Sequence, residues 1–147
     1  MELLLLIEIN GMKFPLDRKY YIKNGAHLWL KLEEDSIKIG MDAFAAMMIG
    51  FISFITVNKK TVKSGETIGS FESAKYISKL YSPVSGIIIE VNNSVLKDPS
   101  KINKDPYLSW IFKIKPDNKK NESKYIIENK NKISNWITKE IKNLEIK

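Results

Sequence analysis

The chain contains no cysteine. No disulfide, thiolate zinc site or cysteine nucleophile can therefore be built from it, and any redox-active sulfur must arrive with a cofactor. Its single histidine, His27, cannot make a metal site alone, and beside Trp29 on an alternating segment it reads as a structural residue. Arginine is almost absent too, with Arg18 the only one. Proteins that read bases and phosphates usually use several, because the planar guanidinium forks onto its target. The excess of 24 Lys and Arg over 17 Asp and Glu, a net charge of +7, accordingly reads as a solvated lysine surface, with no nucleic-acid partner expected. Much of it falls in the last third, where Lys119, Lys120, Lys124, Lys130, Lys132, Lys139, Lys142 and Lys147 are interleaved with Asn and Glu. A basic nucleic-acid-binding β-barrel is the competing reading from another class; it requires exposed aromatics on one sheet face.

Long apolar runs are also missing. Leu3-Leu4-Leu5-Leu6-Ile7 falls far short of the roughly 20 residues of a membrane-spanning helix. The Met1-Glu2 start lacks the basic region of a secretory signal, so the run is expected to be a buried strand, with the cytoplasm as default location and no membrane partner. There is no Walker loop, no Gly-x-Ser-x-Gly and no His-Glu-x-x-His. Neither catalytic residues nor metal ligands are expected.

What is present suggests one core and a tail. At 147 residues and 44% hydrophobic, a second ordinary domain does not fit. The division expected is residues 1–117 and a lysine-rich helical tail at 118–147. Short apolar runs punctuated by Gly, Pro, Asn and Asp predict strands at Leu3 to Ile9, His27 to Leu32, Ile37 to Met41, Phe51 to Val57, Thr67 to Ser73, Gly86 to Val91 and Trp110 to Ile114. A short helix is predicted from an Asp42 N-cap through Met48, stopped by Gly50, with Phe44, Met47 and Met48 in the core. A further helical turn is expected near Ser94. Ile133, Trp136, Ile137, Ile141 and Leu144 recur at steps of three and four, the apolar face of an amphipathic helix docked on the β domain.

Two similar segments flank Lys75. Val62-Lys63-Ser64-Gly65-Glu66-Thr67-Ile68 precedes it and Ser82-Pro83-Val84-Ser85-Gly86-Ile87-Ile88 follows it, each a turn with Gly leading into a strand. A chain that turns, runs out, reverses at Lys75 and returns holds that lysine at the far end of a hairpin.

Glu72-Ser73-Ala74-Lys75 resembles the lipoyl-attachment motif of the glycine cleavage system H-protein family, with Tyr76 where that family usually has Ala. Leu80-Tyr81-Ser82-Pro83-Val84-Ser85-Gly86, Glu90-Val91-Asn92, Asn103-Lys104-Asp105-Pro106-Tyr107 with Trp110, and His27-Leu28-Trp29 resemble the same family, in order, over roughly Tyr20 to Lys115. The resemblance implies a mainly β fold, a flattened β-barrel or sandwich of the lipoyl/biotinyl hammerhead type with a few short helices and a C-terminal helix. It implies lipoic acid attached covalently to Lys75, with Glu72, Ser73 and Ala74 forming the turn that a lipoate ligase or lipoyltransferase reads. It also implies a non-catalytic carrier whose partners are a pyridoxal-phosphate glycine decarboxylase, an aminomethyltransferase and dihydrolipoyl dehydrogenase. A flexible arm makes the second encounter of a shuttled group nearly intramolecular, at effective concentrations reaching about millimolar.

Biotin carriers place Met on each side of their lysine, and the lipoyl domains of two-oxoacid dehydrogenases usually read Asp-Lys-Ala; both fit less well than the H-protein type. Two stretches depart from the pattern, one of them Tyr107-Leu108-Ser109, where the family usually has Gly-x-Gly before Trp. Where the family has Gly-Asp-Ile-Val-Phe-Val-Glu-Leu-Pro, this chain has Gly50-Phe51-Ile52-Ser53-Phe54-Ile55-Thr56-Val57-Asn58, without the acids or the proline. That change suggests an alternative client: a heterodisulfide-reductase-like sulfur-oxidation system, served by H-protein-like lipoate-binding proteins carrying sulfur intermediates.

Overall fold

An Asn10-Gly11 turn, with φ of 51° and 81°, joins β1 (Leu6–Ile9) to β2 (Met12–Pro15) in a two-stranded antiparallel ribbon. Positive φ at both turn residues matches the right-handed strand twist, which is why Asn-Gly is favoured there. The computed structural model describes residues 5–118 and 123–146. A seven-stranded antiparallel sheet runs in the order β12 (Ile126–Ile127), β3 (Lys19–Tyr21), β4 (Leu28–Glu33), β5 (Ser36–Met41), β11 (Phe112–Pro116), β10 (Gly86–Val91) and β7 (Thr61–Val62). A second sheet holds β6 (Ile52–Val57), β8 (Thr67–Ser73) and β9 (Ile77–Tyr81), with β8 in the middle.

Four α-helices are described, α1 (Ala43–Ile49), α2 (Asn93–Lys97), α3 (Ser100–Lys104) and α4 (Lys130–Ile146), besides a 3-10 turn at Lys23–Gly25. Asp42 caps α1 by accepting the Ala45 N–H at 2.9 Å, and Gly50 ends it at φ 78°. The architecture is the mainly β one expected, with short helices and a long C-terminal helix.

Burial follows the alternation of the strands. Leu30, Ile39, Ile52, Ile55, Ile68, Leu80 and Ile114 belong to the larger core cluster, which draws on both sheets. The smaller one gathers Phe14, Tyr20, Trp29 and Phe44 with Ile133 and Ile137 of α4. Both isoleucines are fully buried, each contributing roughly 2 kcal/mol of transfer free energy. Gly40 makes room for Trp29, since a Cβ there would lie 2.6 Å from the indole.

Some expectations need correction. Of the opening apolar run, Leu3 and Leu4 lie outside the described residues, Ile7 is buried, and Leu5 and Leu6 are exposed. A two-stranded ribbon has only one face to bury, so half of its apolar side chains face solvent. Met47 is exposed on the outer face of α1, whereas Phe44 is buried and Met48 partly so. Phe51 and Trp110 precede the strands assigned to them. Among the described residues no helix is long and apolar enough to cross a membrane, and no cluster of side chains could hold a metal ion.

Candidate functional site

Lys75 is exposed at the tip of the β8–β9 hairpin. Two-residue hairpins normally use positive φ, yet neither Ala74 nor Lys75 has it. Ser73 supplies what the backbone cannot. Its N–H donates to the Tyr76 carbonyl at 2.9 Å, and its Oγ accepts the N–H groups of Lys75 and Tyr76, both at 3.2 Å. A serine hydroxyl accepting from residues two and three further on is a recognised way to close a turn. The backbone at Lys75 is thereby fixed while its side chain stays in solvent. Ala74 is exposed beside it and adds no polar group.

The stem is tied at both ends. At its base the two glycine turns read from the sequence bond to each other: Gly65 N–H donates to the Ser82 carbonyl at 2.7 Å, and Ser82 N–H to the Glu66 carbonyl at 2.9 Å. Near the tip, Ile52 of β6 pairs with Ser73. Asn103 secures this corner, its Oδ1 accepting the Ile52 N–H at 3.0 Å and its Nδ2 donating to the Gly50 and Ala46 carbonyls at 2.6 and 3.2 Å. Sequence reading singled out Asn103 only as part of a matching block; its bonding role spans about fifty residues and leaves no local signal.

Phe54, Glu72 and Ile77 are in register across β6, β8 and β9, and so share one face. Phe54 is 51% and Ile77 79% exposed, flanking the half-buried Glu72. Phe51 and Tyr76 are exposed near the tip as well. Lys79, the nearest rival to Lys75, is exposed but lies within β9 opposite Ser70 rather than at the reversal. The exposed aromatics therefore surround the hairpin, while Lys31, Lys38 and Lys113 of the larger sheet are paired with Asp17, Glu33 and Glu90. Arg18 is 9% exposed, bonded to Asp17 and stacked 4.7 Å from the Trp29 ring centre and 5.3 Å from that of Tyr107.

A groove of about 550 Å³ lies beside the hairpin. It is lined by Tyr76 to Tyr81, by residues of α1, by Asn24 to Leu28, and by Glu140, Asn143 and Leu144 of α4. His27 belongs to that lining. Its ring lies between Phe44 and Trp136, with centroids at 4.4 and 4.5 Å, and its Nδ1 and Nε2 are each 3.0 Å from a carboxylate oxygen, of Asp42 and Glu140 respectively. Burial alone would lower the imidazole pKa, but the two carboxylates outweigh it and raise it from 6.5 to about 9. The reading of His27 as structural holds, although Glu140, 113 residues away, could not be named from sequence.

Comparison with known proteins gives one answer. The family model described as glycine cleavage H-protein matches residues 18–140. A probable glycine cleavage system H protein of Pyrococcus abyssi is 40% identical over 126 residues, covering 84% of this chain and 92% of that protein. A glycine cleavage system H protein of Paraburkholderia phytofirmans is 42% identical over 108 residues, covering 71% and 83%. The crystal structure of such a protein from Mycobacterium marinum superposes with a TM-score of 0.65 at 32% identity, covering 71% of this chain and 87% of that one. With the family model, the relatives and the Mycobacterium marinum structure in agreement, this chain belongs to the glycine cleavage H-protein family, whose members are non-catalytic lipoyl carriers.

Proposed function

We propose that Lys75 is the lipoylated residue and that the chain moves a lipoamide-bound intermediate between partner enzymes, with aminomethyl transfer in glycine cleavage as its default client. The observation that carries this reading is the exposed lysine at a serine-closed reversal. The site fits the group: acylation needs an amine reachable by an attaching enzyme, and its amide product needs a fixed base and open space beyond it. The lipoyl group supplies a strained disulfide, a type that opens and recloses readily. The residues around it have simpler duties. Ser73 holds the turn, Ala74 leaves the approach open, and Glu72 with its apolar neighbours offers a surface to the lipoate ligase or lipoyltransferase.

Ser73→Ala removes the hydroxyl from two hydrogen bonds and leaves the rest of the hairpin in place. A loss near 1 kcal/mol predicts about a fivefold fall in kcat/KM for lipoylation, read by intact mass against time. A wild-type rate would remove Ser73 from the account.

For the client, the lipoylated chain is mixed with a pyridoxal-phosphate glycine decarboxylase and labelled glycine. The expected result is label on the chain, released again when an aminomethyltransferase and tetrahydrofolate are added, with dihydrolipoyl dehydrogenase closing the cycle. The glycine cleavage names of the relatives support this order of partners. A second reading rests on the start of β6 and the residue before it, where Phe51, Ser53 and Phe54 are exposed and bring no charge of their own to the surface beside the hairpin. Charged patches steer and select partners, so an uncharged one suits a different docking protein. Absence of label from glycine, with sulfur transfer from heterodisulfide-reductase-like subunits instead, would replace the default client by that one.

A further inference from the structure

The two halves of α4 are held to different depths. Ile133 and Ile137 are fully buried, whereas Ile141 and Leu144 are only partly so. From Glu140 onward that partial apolar packing of Ile141 and Leu144 is supplemented by one polar contact to the body, the Glu140 carboxylate on His27 Nε2. The same stretch supplies Glu140, Asn143 and Leu144 to the groove beside the Lys75 hairpin.

We infer that the C-terminal half of α4 is a detachable wall of this groove, latched by the imidazolium form of His27 and released when that ring loses its proton.

The argument is one of donors and acceptors. A carboxylate only accepts, so an imidazole bonded to a carboxylate at both nitrogens must donate from both and carry its charge. Asp42 cannot yield, because its other oxygen caps α1. On deprotonation the remaining ring proton stays on Nδ1 facing Asp42, and Nε2 turns a lone pair toward Glu140. Attraction becomes repulsion at the bond that holds α4. Phe44 and Trp136 sandwich the ring, so it cannot turn aside to avoid the clash.

The other groups facing this point do not replace the lost bond. Tyr76, Lys79 and Tyr81 line the groove from the β9 side, and none of them is bonded to Glu140 or His27. Tyr107 bonds Ala43 at the start of α1. The Glu140 pKa is lowered chiefly by its bond to His27, which offsets its partial burial, so this carboxylate stays ionised throughout the alkaline range. His27, raised to about 9 from 6.5, contributes fully below about pH 6.5, and its contribution is lost as pH rises through about 9.

Hydrogen exchange on the full chain, followed by mass spectrometry and corrected for base-catalysed exchange, tests the latch without reference to what Lys75 carries. Between pH 6.5 and pH 9.5 the opening of residues 140–146 is expected to rise at least tenfold, roughly, while the β sheets keep their protection. In Glu140→Gln the amide accepts from a charged ring and donates to a neutral one, so the helix stays closed at both pH values. In His27→Asn, whose shorter amide reaches Asp42 but not Glu140, it opens at both. The inference is overturned if wild-type α4 shows no pH step, if all elements lose protection together, or if Glu140→Gln keeps the wild-type step.

Discussion

Lys75→Arg is expected to abolish the lipoyl adduct when the chain is incubated with lipoate, ATP and a lipoate ligase, and to leave the fold intact. The guanidinium keeps its proton at every accessible pH, so it offers no lone pair for acylation. The side chain is exposed at a turn whose bonds come from backbone and Ser73 atoms, and stability should change by less than about 0.5 kcal/mol. Intact mass provides the measurement, and peptide mapping shows where any adduct resides. An unmodified variant with the wild-type melting curve supports the assignment. A full adduct on the arginine variant, at Lys79 or elsewhere, refutes it.

Gly69→Ala is expected to damage the hairpin from within. Gly69 lies in β8, paired with Val57 on one side and Leu80 on the other. An added Cβ would lie 1.8 Å from the Thr56 carbonyl oxygen and 2.7 Å from its carbon. Those are backbone atoms of a paired strand, so no side-chain rotation relieves the overlap and β6 must move. Overpacking of this kind costs about 3 kcal/mol, which for a chain of this size lowers the melting temperature by roughly 10 °C. A variant melting within about 2 °C of wild type would show that the β6–β8 approach is looser than described.

Much of this architecture was legible where local chemistry determines it. Thr67 to Ser73 and Gly86 to Val91 were placed correctly because turn residues bound them on both sides. Asp42 and Gly50 marked the ends of α1 for the same reason. The reversal at Lys75 followed from two similar glycine turns, and the structure bonds those turns to each other. The elements missed were those with too few residues to show a period: β3, β7, β9, β12 and α3 are two to five residues long. The ribbon of β1 and β2 had a usable signal in Asn10-Gly11 that the apolar run before it obscured. Exposure at Met47, Phe54 and Ile77 was not readable, because an apolar side chain on a period does not say whether anything covers it. Nor could any local rule pair His27 with Glu140 or assign Asn103 to Ile52, since those contacts depend on how distant segments fold together.

The bonds of Asn103 have a mechanical consequence. By fastening the start of β6 to the end of α1, beside the Ser73 pairing, they turn the tip of the hairpin into a pivot that does not travel. On the proposed attachment at Lys75, a flexible arm would sweep a volume of fixed maximum radius about a stationary centre. Enzymes acting on the end of such an arm would then have to come within that radius, and those docking on the same side of the hairpin would exclude one another.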